Sequence, residues 1–401
     1  MEASASLSNL PQDIIRLILL QLPVKCVIQC QCVCKQWRSL IDDSDFKFSY
    51  RGQFRVILHE SNNRWRRSIV RSTSHDLRLR RHKWPYGEGS PLIRATFENN
   101  FSVLCSCHGL VLLLVANRDI WLWNPSTKYS TKVLESPYPE DLHVVTDAVV
   151  AAGLCYDSCT RDYKVVLLLR KDIKTPFEIE IGYPFLMYAS FNHKEWRPVQ
   201  FPYNLHSVRG GIEFRNTFYW WASDMKDWNW YINFYSDRNR IVYFDPVRDE
   251  FRILPLPTPE HSKHFSISGL GVIDDCLCMA ASKLREKKEE PEPETKTIWI
   301  MKEYGRQESW MAAFSIQMSE LRNICGSYIL TFYSQKKNAQ EVLFLRCNMR
   351  RYGRQIFIYD REKNELKEDQ LYFLTSDRRT YFFPYFYVES LNCMPGPATT
   401  D

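Results

Sequence analysis

The sequence predicts a small all-α head followed by a large all-β domain, a propeller-like ring of about six blades. Three observations predict it. Apolar residues at helical spacing are confined to the first 50 positions, and period-two apolar runs follow. From residue 100 onward, one strand–turn–strand pattern recurs at spacings of 67, 54, 57 and 58 residues. A pair of β-sandwiches is the alternative architecture.

The head is the stretch from Leu10 to Ile41. Between Ile14 and Leu22 only Arg16 and Gln21 are polar. At helical pitch those two lie about 140° apart, so most of the circumference is apolar. A surface helix needs one apolar stripe, so this one requires cover on two sides. Val33, Trp37, Leu40 and Ile41 fall at i, i+4, i+7 and i+8, which predicts a second amphipathic helix able to supply one cover. A unit of this size is near the lower limit for closing its own core, which leaves the other side for a partner. Pro11 suits the first helical turn, with Ser8 or Asn9 placed to cap it.

The charge is uneven. The chain of 401 residues carries a formal +6, yet Arg51 to Lys83 holds ten Lys/Arg against Glu60 and Asp76, leaving the remainder slightly acidic. This run lacks a recognition helix or an RNA-binding signature, so it reads as a solvated basic linker and nucleic-acid binding is not expected. The thirteen cysteines are scattered, no positively charged secretory leader precedes them, and no apolar run is long enough to cross a bilayer. These features predict a soluble protein of the cytoplasm or nucleus with free thiols.

The recurring β pattern is an apolar strand ending in an aromatic plus Asn or Asp, a polar turn, then a second strand. It starts at Ile120, Met187, Ile241, Ile298 and Ile356. Asn124-Pro125 and Asp245-Pro246 carry the type I turn preference. Further strands are expected at 110–115, 163–169, 217–221, 276–280 and 342–345. This gives five blades, and strands near residues 54–59, 68–72 and 381–388 are left to pair across the termini as a sixth. Terminal pairing would close the ring and hide its edges.

Two sets of residues carry a family resemblance. Leu10-Pro11, Asp13, Leu22-Pro23-Val24 and Val33-Cys34-Lys35-Gln36-Trp37-Arg38-Ser39-Leu40-Ile41 resemble the F-box, with Asp13 where Glu is more usual. Cys107-His108-Gly109-Leu110, Asn124-Pro125-Ser126-Thr127, Gly153-Leu154-Cys155-Tyr156-Asp157, Asp162-Tyr163-Lys164-Val165-Val166, Leu270-Gly271-Val272, Trp299–Gly305 and Tyr387-Val388-Glu389-Ser390-Leu391 resemble the F-box-associated domain of plant F-box proteins, a degenerate relative of Kelch repeats. The paired glycines of Kelch blades are missing, Gly210-Gly211 being the only such pair. The resemblance implies a three-helix F-box over 1–50, a basic linker with the first strands over 51–99, a target-recognition domain over 100–391 and a tail over 392–401.

It also implies partners. Leu10, Pro11, Ile14, Ile15, Ile18, Leu19, Leu22, Pro23, Val33, Trp37 and Leu40 are the candidates for docking a Skp-type adaptor and, through it, a cullin. Some of them must instead hold the head together. Trp228, Trp230, Tyr231 and Tyr235, aromatics interleaved with Asp and Asn in a long connection, are the candidates for contacting a target protein. Trp220 or Trp221 is expected to wedge between blades. The implied role is substrate recognition for a ubiquitin ligase. A non-degradative scaffold and a glycan- or small-molecule-binding propeller are the alternatives.

No catalytic constellation, cofactor loop or metal motif is expected. Cys26, Cys30, Cys32 and Cys34 have no second pair and no nearby His, so they are expected to pack between helices. Cys105/Cys107 and Cys276/Cys278 are expected to be buried on strand faces. His108 lacks a nucleophile elbow and is expected to bond turn backbone. Gly269-Leu270-Gly271 lacks a third glycine. Residues 284–296, rich in mixed charge with two prolines, are expected to be a solvated loop.

Overall fold

The computed structural model describes residues 10–62, 67–73, 79–81, 101–116, 118–137, 149–170, 173–174, 179–180, 184–201, 208–223, 239–257, 265–283, 295–317, 328–335, 338–348, 354–366, 371–373 and 380–393. Four short helices come first: α1 (Gln12–Gln21), α2 (Val24–Cys30), α3 (Lys35–Asp42) and α4 (Ser44–Ser49). The expectation of three helices is one short. Asp43 supplies the extra start, its carboxylate accepting from Phe46 N–H at 2.9 Å. Pro11 stands at the N-cap of α1, just outside the first turn, with no side-chain cap. Val33 lies in a turn before α3 and not on the helix with Trp37 and Leu40.

The strands follow. β1 (Phe54–Asn62), β2 (Arg67–Thr73) and β3 (Leu79–Arg81) open the ring. The second sheet is β4 (Phe101–Cys107), β5 (Leu110–Val115), β6 (Asp119–Trp123) and β7 (Ser130–Glu135). In the third, β8 (Val149–Asp157) and β9 (Asp162–Arg170) are separated by a small hairpin, β10 (Ile173–Lys174) and β11 (Ile179–Glu180), from β12 (Pro184–Ser190) and β13 (Trp196–Pro198). The fourth is β14 (Arg209–Phe214), β15 (Thr217–Ser223), β16 (Asn239–Asp245) and β17 (Glu250–Leu254). The fifth is β18 (Phe265–Ile273), β19 (Cys276–Lys283), β20 (Thr295–Met301) and β21 (Trp310–Gln317). The sixth is β22 (Tyr328–Gln335), β23 (Asn338–Asn348) and β24 (Arg354–Asp360), edged by β25 (Glu365–Leu366) and β26 (Leu371–Phe373). Last comes β27 (Thr380–Val388).

Within each blade the strands pair antiparallel, and β27 returns to pair antiparallel with β1 from Phe54↔Val388 to Asn62↔Thr380. Joining the strands from the two ends of the chain completes the first blade, makes six in all and closes the ring, as the leftover strands predict. The closing seam is packed with aromatic rings: Tyr333 lies 4.4 Å from Phe54 and 4.5 Å from Phe386, centroid to centroid. The fifth and sixth blades are joined more intimately, because β18 pairs in parallel with β22 between Gly269↔Leu330 and Val272↔Tyr333. A Cβ on Gly271 would run into the Phe332 ring, so glycine is what allows this approach.

The five recurring hairpins are the third and fourth strands of blades two to six. The turns of blades two, four and six share one device. Asn124 Oδ1 accepts from Ser126 N–H at 2.8 Å, Asp245 Oδ1 from Val247 N–H at 3.0 Å, and Asp360 Oδ1 from Glu362 N–H at 3.1 Å. Four residues beyond each anchor the backbone is left-handed, at Lys128, Asp249 and Asn364. The third blade uses Ser190 as anchor, with Lys194 left-handed, and so departs from the sequence reading centred on Asn192.

The core lies between blades. Trp220 packs among blades two to four, and Trp221, on the opposite face of the same strand, packs toward blades five and six. Both are buried, so both act as wedges where the sequence reading expects one. Cys105, Cys107 and Cys278 are buried, while Cys276 is half-buried.

Candidate docking face and its joint to the ring

The helical head is closed by Ile15, Leu19, Val24, Val27, Leu40, Ile41, Phe46 and Tyr50, together with Leu391 from the far end of the chain. Arg16 donates to Ser49 Oγ at 3.0 Å and lies 5.4 Å from the Phe46 ring centroid, which pins α1 against α4. The inward side of α1 is thereby fixed, and its outward side follows from helical pitch. Ile14, Leu17 and Ile18, at i, i+3 and i+4, are 42%, 58% and 43% exposed. Val33, in the turn before α3, is 64% exposed. Four large apolar side chains facing water on so small a unit form a patch that wants a partner.

The eleven docking candidates divide accordingly. Pro11, Ile14, Ile18, Pro23 and Val33 are exposed, while Leu10, Leu22 and Trp37 are half-buried. Ile15, Leu19 and Leu40 are buried in the head's own core and hold it together. Leu17, the most exposed apolar residue of α1, is absent from the sequence-derived set. The four-cysteine cluster also differs from expectation. Cys26, Cys32 and Cys34 are exposed rather than packed, and Cys34 caps α3 by accepting from Trp37 N–H through Sγ at 3.4 Å. Burial, and then the proximity of Cys26, raise the pKa of Cys30.

Some of the residues that carry the β-domain resemblance, His108-Gly109, Tyr156 and Glu389-Ser390-Leu391 among them, lie where the head meets the ring. His108-Gly109, Arg215-Asn216 and Asp274-Asp275 are two-residue turns with φ positive at both positions, joining the first and second strands of blades two, four and five. His108, at 2% exposure, sits among three blades. Its Nδ1 accepts from the Tyr163 hydroxyl at 3.2 Å and its Nε2 donates to Asn216 Oδ1. This corrects the expectation that it bonds turn backbone. Phe48 of α4 stacks edge-on against it, centroids 4.7 Å apart, and lies 4.7 Å from Tyr156. Burial, then the Arg51 charge, pull the His108 pKa down to about 3 against the opposing Asn216 bond, so the ring is neutral.

A strap of four residues finishes the joint. Asn124 Nδ2 donates to Ser390 O at 3.1 Å and Asn392 O at 2.8 Å, and Asn392 Nδ2 donates to His108 O at 2.9 Å. Gly52 N–H donates to Glu389 O at 2.8 Å and Glu389 N–H to Gln53 O at 2.9 Å. Gly109, at φ +75°, leaves room for this strap, since a Cβ there would strike Ser390 and the Val388 carbonyl.

Cys107, His108 and Glu213 bring one potential ligand atom each within 4.8 Å of one another. Both His108 nitrogens are already hydrogen-bonded, and burial holds the Cys107 thiol well up in its protonated form. With the His108 ring committed and the thiol protonated, the trio is ill suited to a cation. The target-contact candidates Trp228, Trp230, Tyr231 and Tyr235 lie outside the described residues. The strands flanking them, β15 and β16, have their far ends at Ser223 and Asn239, away from the Arg215-Asn216 turn and the helices. Among the described residues no helix is long and apolar enough to cross a membrane.

Comparison with known proteins agrees with this construction. Residues 7–49 match the F-box domain, and residues 77–382 match the F-box associated beta propeller domain. The chain is 28% identical over 320 residues to the F-box/kelch-repeat protein At3g23880 of Arabidopsis thaliana, covering 77% of this chain and 79% of that protein. It is 27% identical over 335 residues to the F-box protein CPR1 of the same plant, covering 78% and 74% respectively. A helical head with an outward apolar stripe, strapped to a six-bladed ring and matched by both domain families, makes this chain a member of the F-box proteins that carry an F-box-associated β-propeller domain.

Proposed function

We propose that the chain is the substrate-recognition subunit of a Skp–cullin–F-box ubiquitin ligase, itself without catalytic groups. The observation that carries this reading is the exposed stripe Ile14–Leu17–Ile18 with Val33 beside it. A helix whose other side is already committed to Phe46 and Tyr50 keeps this face for a Skp-type adaptor. The ring's turns on the helix side face the head across the joint, so the far side, where Ser223 and Asn239 end, is left for a target protein. Holding both raises the target's effective concentration at a ubiquitin-charged enzyme in the same complex. The free thiols of the described cysteines suit the reducing cytosol or nucleus.

The test is co-purification of the full chain with a Skp-type adaptor. Leu17→Asp and Ile18→Asp, both at exposed positions, are expected to abolish capture while the chain stays folded. Capture equal to wild type would overturn the reading. A target whose half-life is unchanged by loss of the chain would favour the non-degradative scaffold.

A further inference from the structure

Between the head and the ring lies a half-open cleft of about 440 Å³, within the range of small-molecule sites. One wall is the end of α1 and the turn after it, with Leu20, Leu22 and Pro23, and the link through Tyr50 and Arg51. The other is the ring mouth, where Phe54, Phe214, Val272 and Tyr333 present apolar surface. The walls are thus largely aromatic and aliphatic, with a few charged groups converging on them.

The charges are unequally committed. Arg51 donates Nη1 to Phe48 O at 2.5 Å and Tyr50 O at 3.0 Å, and its guanidinium lies 5.5 Å from the Phe48 ring centroid. Arg215 lies over the Phe214 and Tyr304 rings at 5.2 and 5.1 Å. Neither arginine forms an ion pair among the described residues. The cleft has two carboxylates: Asp275, in the turn between β18 and β19, and Glu213, which accepts from Asn216 N–H at 3.2 Å and whose pKa burial raises against the opposing pull of the Arg51 charge, which weakens it as a counter-charge. Two guanidinium groups with aromatic neighbours and no carboxylate paired to them are the chemistry that takes up an organic acid.

We infer that this cleft is a binding site for a small amphipathic carboxylate, its acid group received by Arg51 and Arg215 and its apolar body seated against Phe214, Val272 and Tyr333. The ligand touches both the head and the ring, so its binding stiffens their joint. The inference goes beyond the adaptor reading and does not depend on it.

Calorimetric titration of the full chain with 2-naphthoate, and with the neutral 2-naphthamide as control, tests it. The acid is expected to bind and the amide to bind about tenfold or more weakly, the loss of a charge-assisted hydrogen bond. Arg215→Gln, at an exposed position, is expected to weaken the acid several-fold. Arg51→Gln is expected to weaken it further, with melting temperature measured alongside because Arg51 also ties down the link. Leu17→Ala, on the outward stripe, is expected to leave binding unchanged. Absence of naphthoate binding, equal affinity for acid and amide, or indifference to Arg215→Gln would each overturn the assignment. Adaptor capture is read separately in the same preparations, so failure here leaves the ligase reading standing.

Discussion

Arg55 Nε lies 3.0 Å from Glu389 Oε1, with the two side chains only 16% and 12% exposed. The pair bridges the first strand of the ring and the strap that follows its last strand. It is therefore one of the few charged contacts here that removal should expose as a stability term. Glu389→Ala leaves a largely buried guanidinium unpaired, with an expected loss of about 2–4 kcal/mol. Urea midpoints of wild type and variant measure it, and faster amide exchange along Thr380–Val388 should accompany the loss.

Leu391, 4% exposed, is, among the described residues, the one core residue of the helical head that comes from the C-terminal end. Leu391→Ala is expected to cost about 2–4 kcal/mol by opening a cavity. The damage should be local to the head. Hydrogen exchange should therefore quicken through Gln12–Ser49 while the inner strands of blades two to four keep their protection.

His108 gives the stability a pH dependence. Its folded pKa, about 3, is below the unfolded value near 6.5. Below pH 6.5 the unfolded chain binds a proton that the folded one refuses, so stability falls as pH drops and keeps falling until about pH 3. The slope from this residue is about 1.4 kcal/mol per pH unit. Denaturation midpoints measured between pH 6 and 4 should show it, and His108→Gln should remove that part of the slope.

The left-handed turn positions can be tuned in both directions. Lys194 holds φ 58° on the surface, a conformation costly for a residue with a Cβ. Lys194→Gly is expected to stabilise by about 0.5–1 kcal/mol. Gly305 has φ 82° and open space around its missing Cβ, so Gly305→Ala is expected to cost about 1 kcal/mol through backbone strain alone. Thermal melts of the two variants should move in opposite senses.

What was legible in the sequence was mostly local. The Asn124 and Asp245 turns could be read because anchor, proline and following strand lie within a few residues of one another. Blade closure could be read because an unpaired strand at each end needs somewhere to go. Ser190 was missed because its hydroxyl takes the anchoring role of an Asn or Asp, and Asn192 two residues later carries the expected letter. The outward stripe was only half found. Pattern identifies α1 as apolar nearly all round, but which side is inward depends on Arg16 reaching Ser49, 33 residues away. The partners of His108, at separations of 55 and 108 residues, are set by how neighbouring blades meet, and no local spacing encodes them.

Because Thr380–Asn62 pairing and Leu391 both draw on the final stretch of the polypeptide, the N-terminal helices leave the ribosome long before the pieces that complete them. A chain interrupted anywhere upstream would carry an F-box in letters but neither a sealed ring nor a finished head. Closure of the ring and completion of the head's core would thus both wait on residues 380–391, a folding order imposed by topology alone.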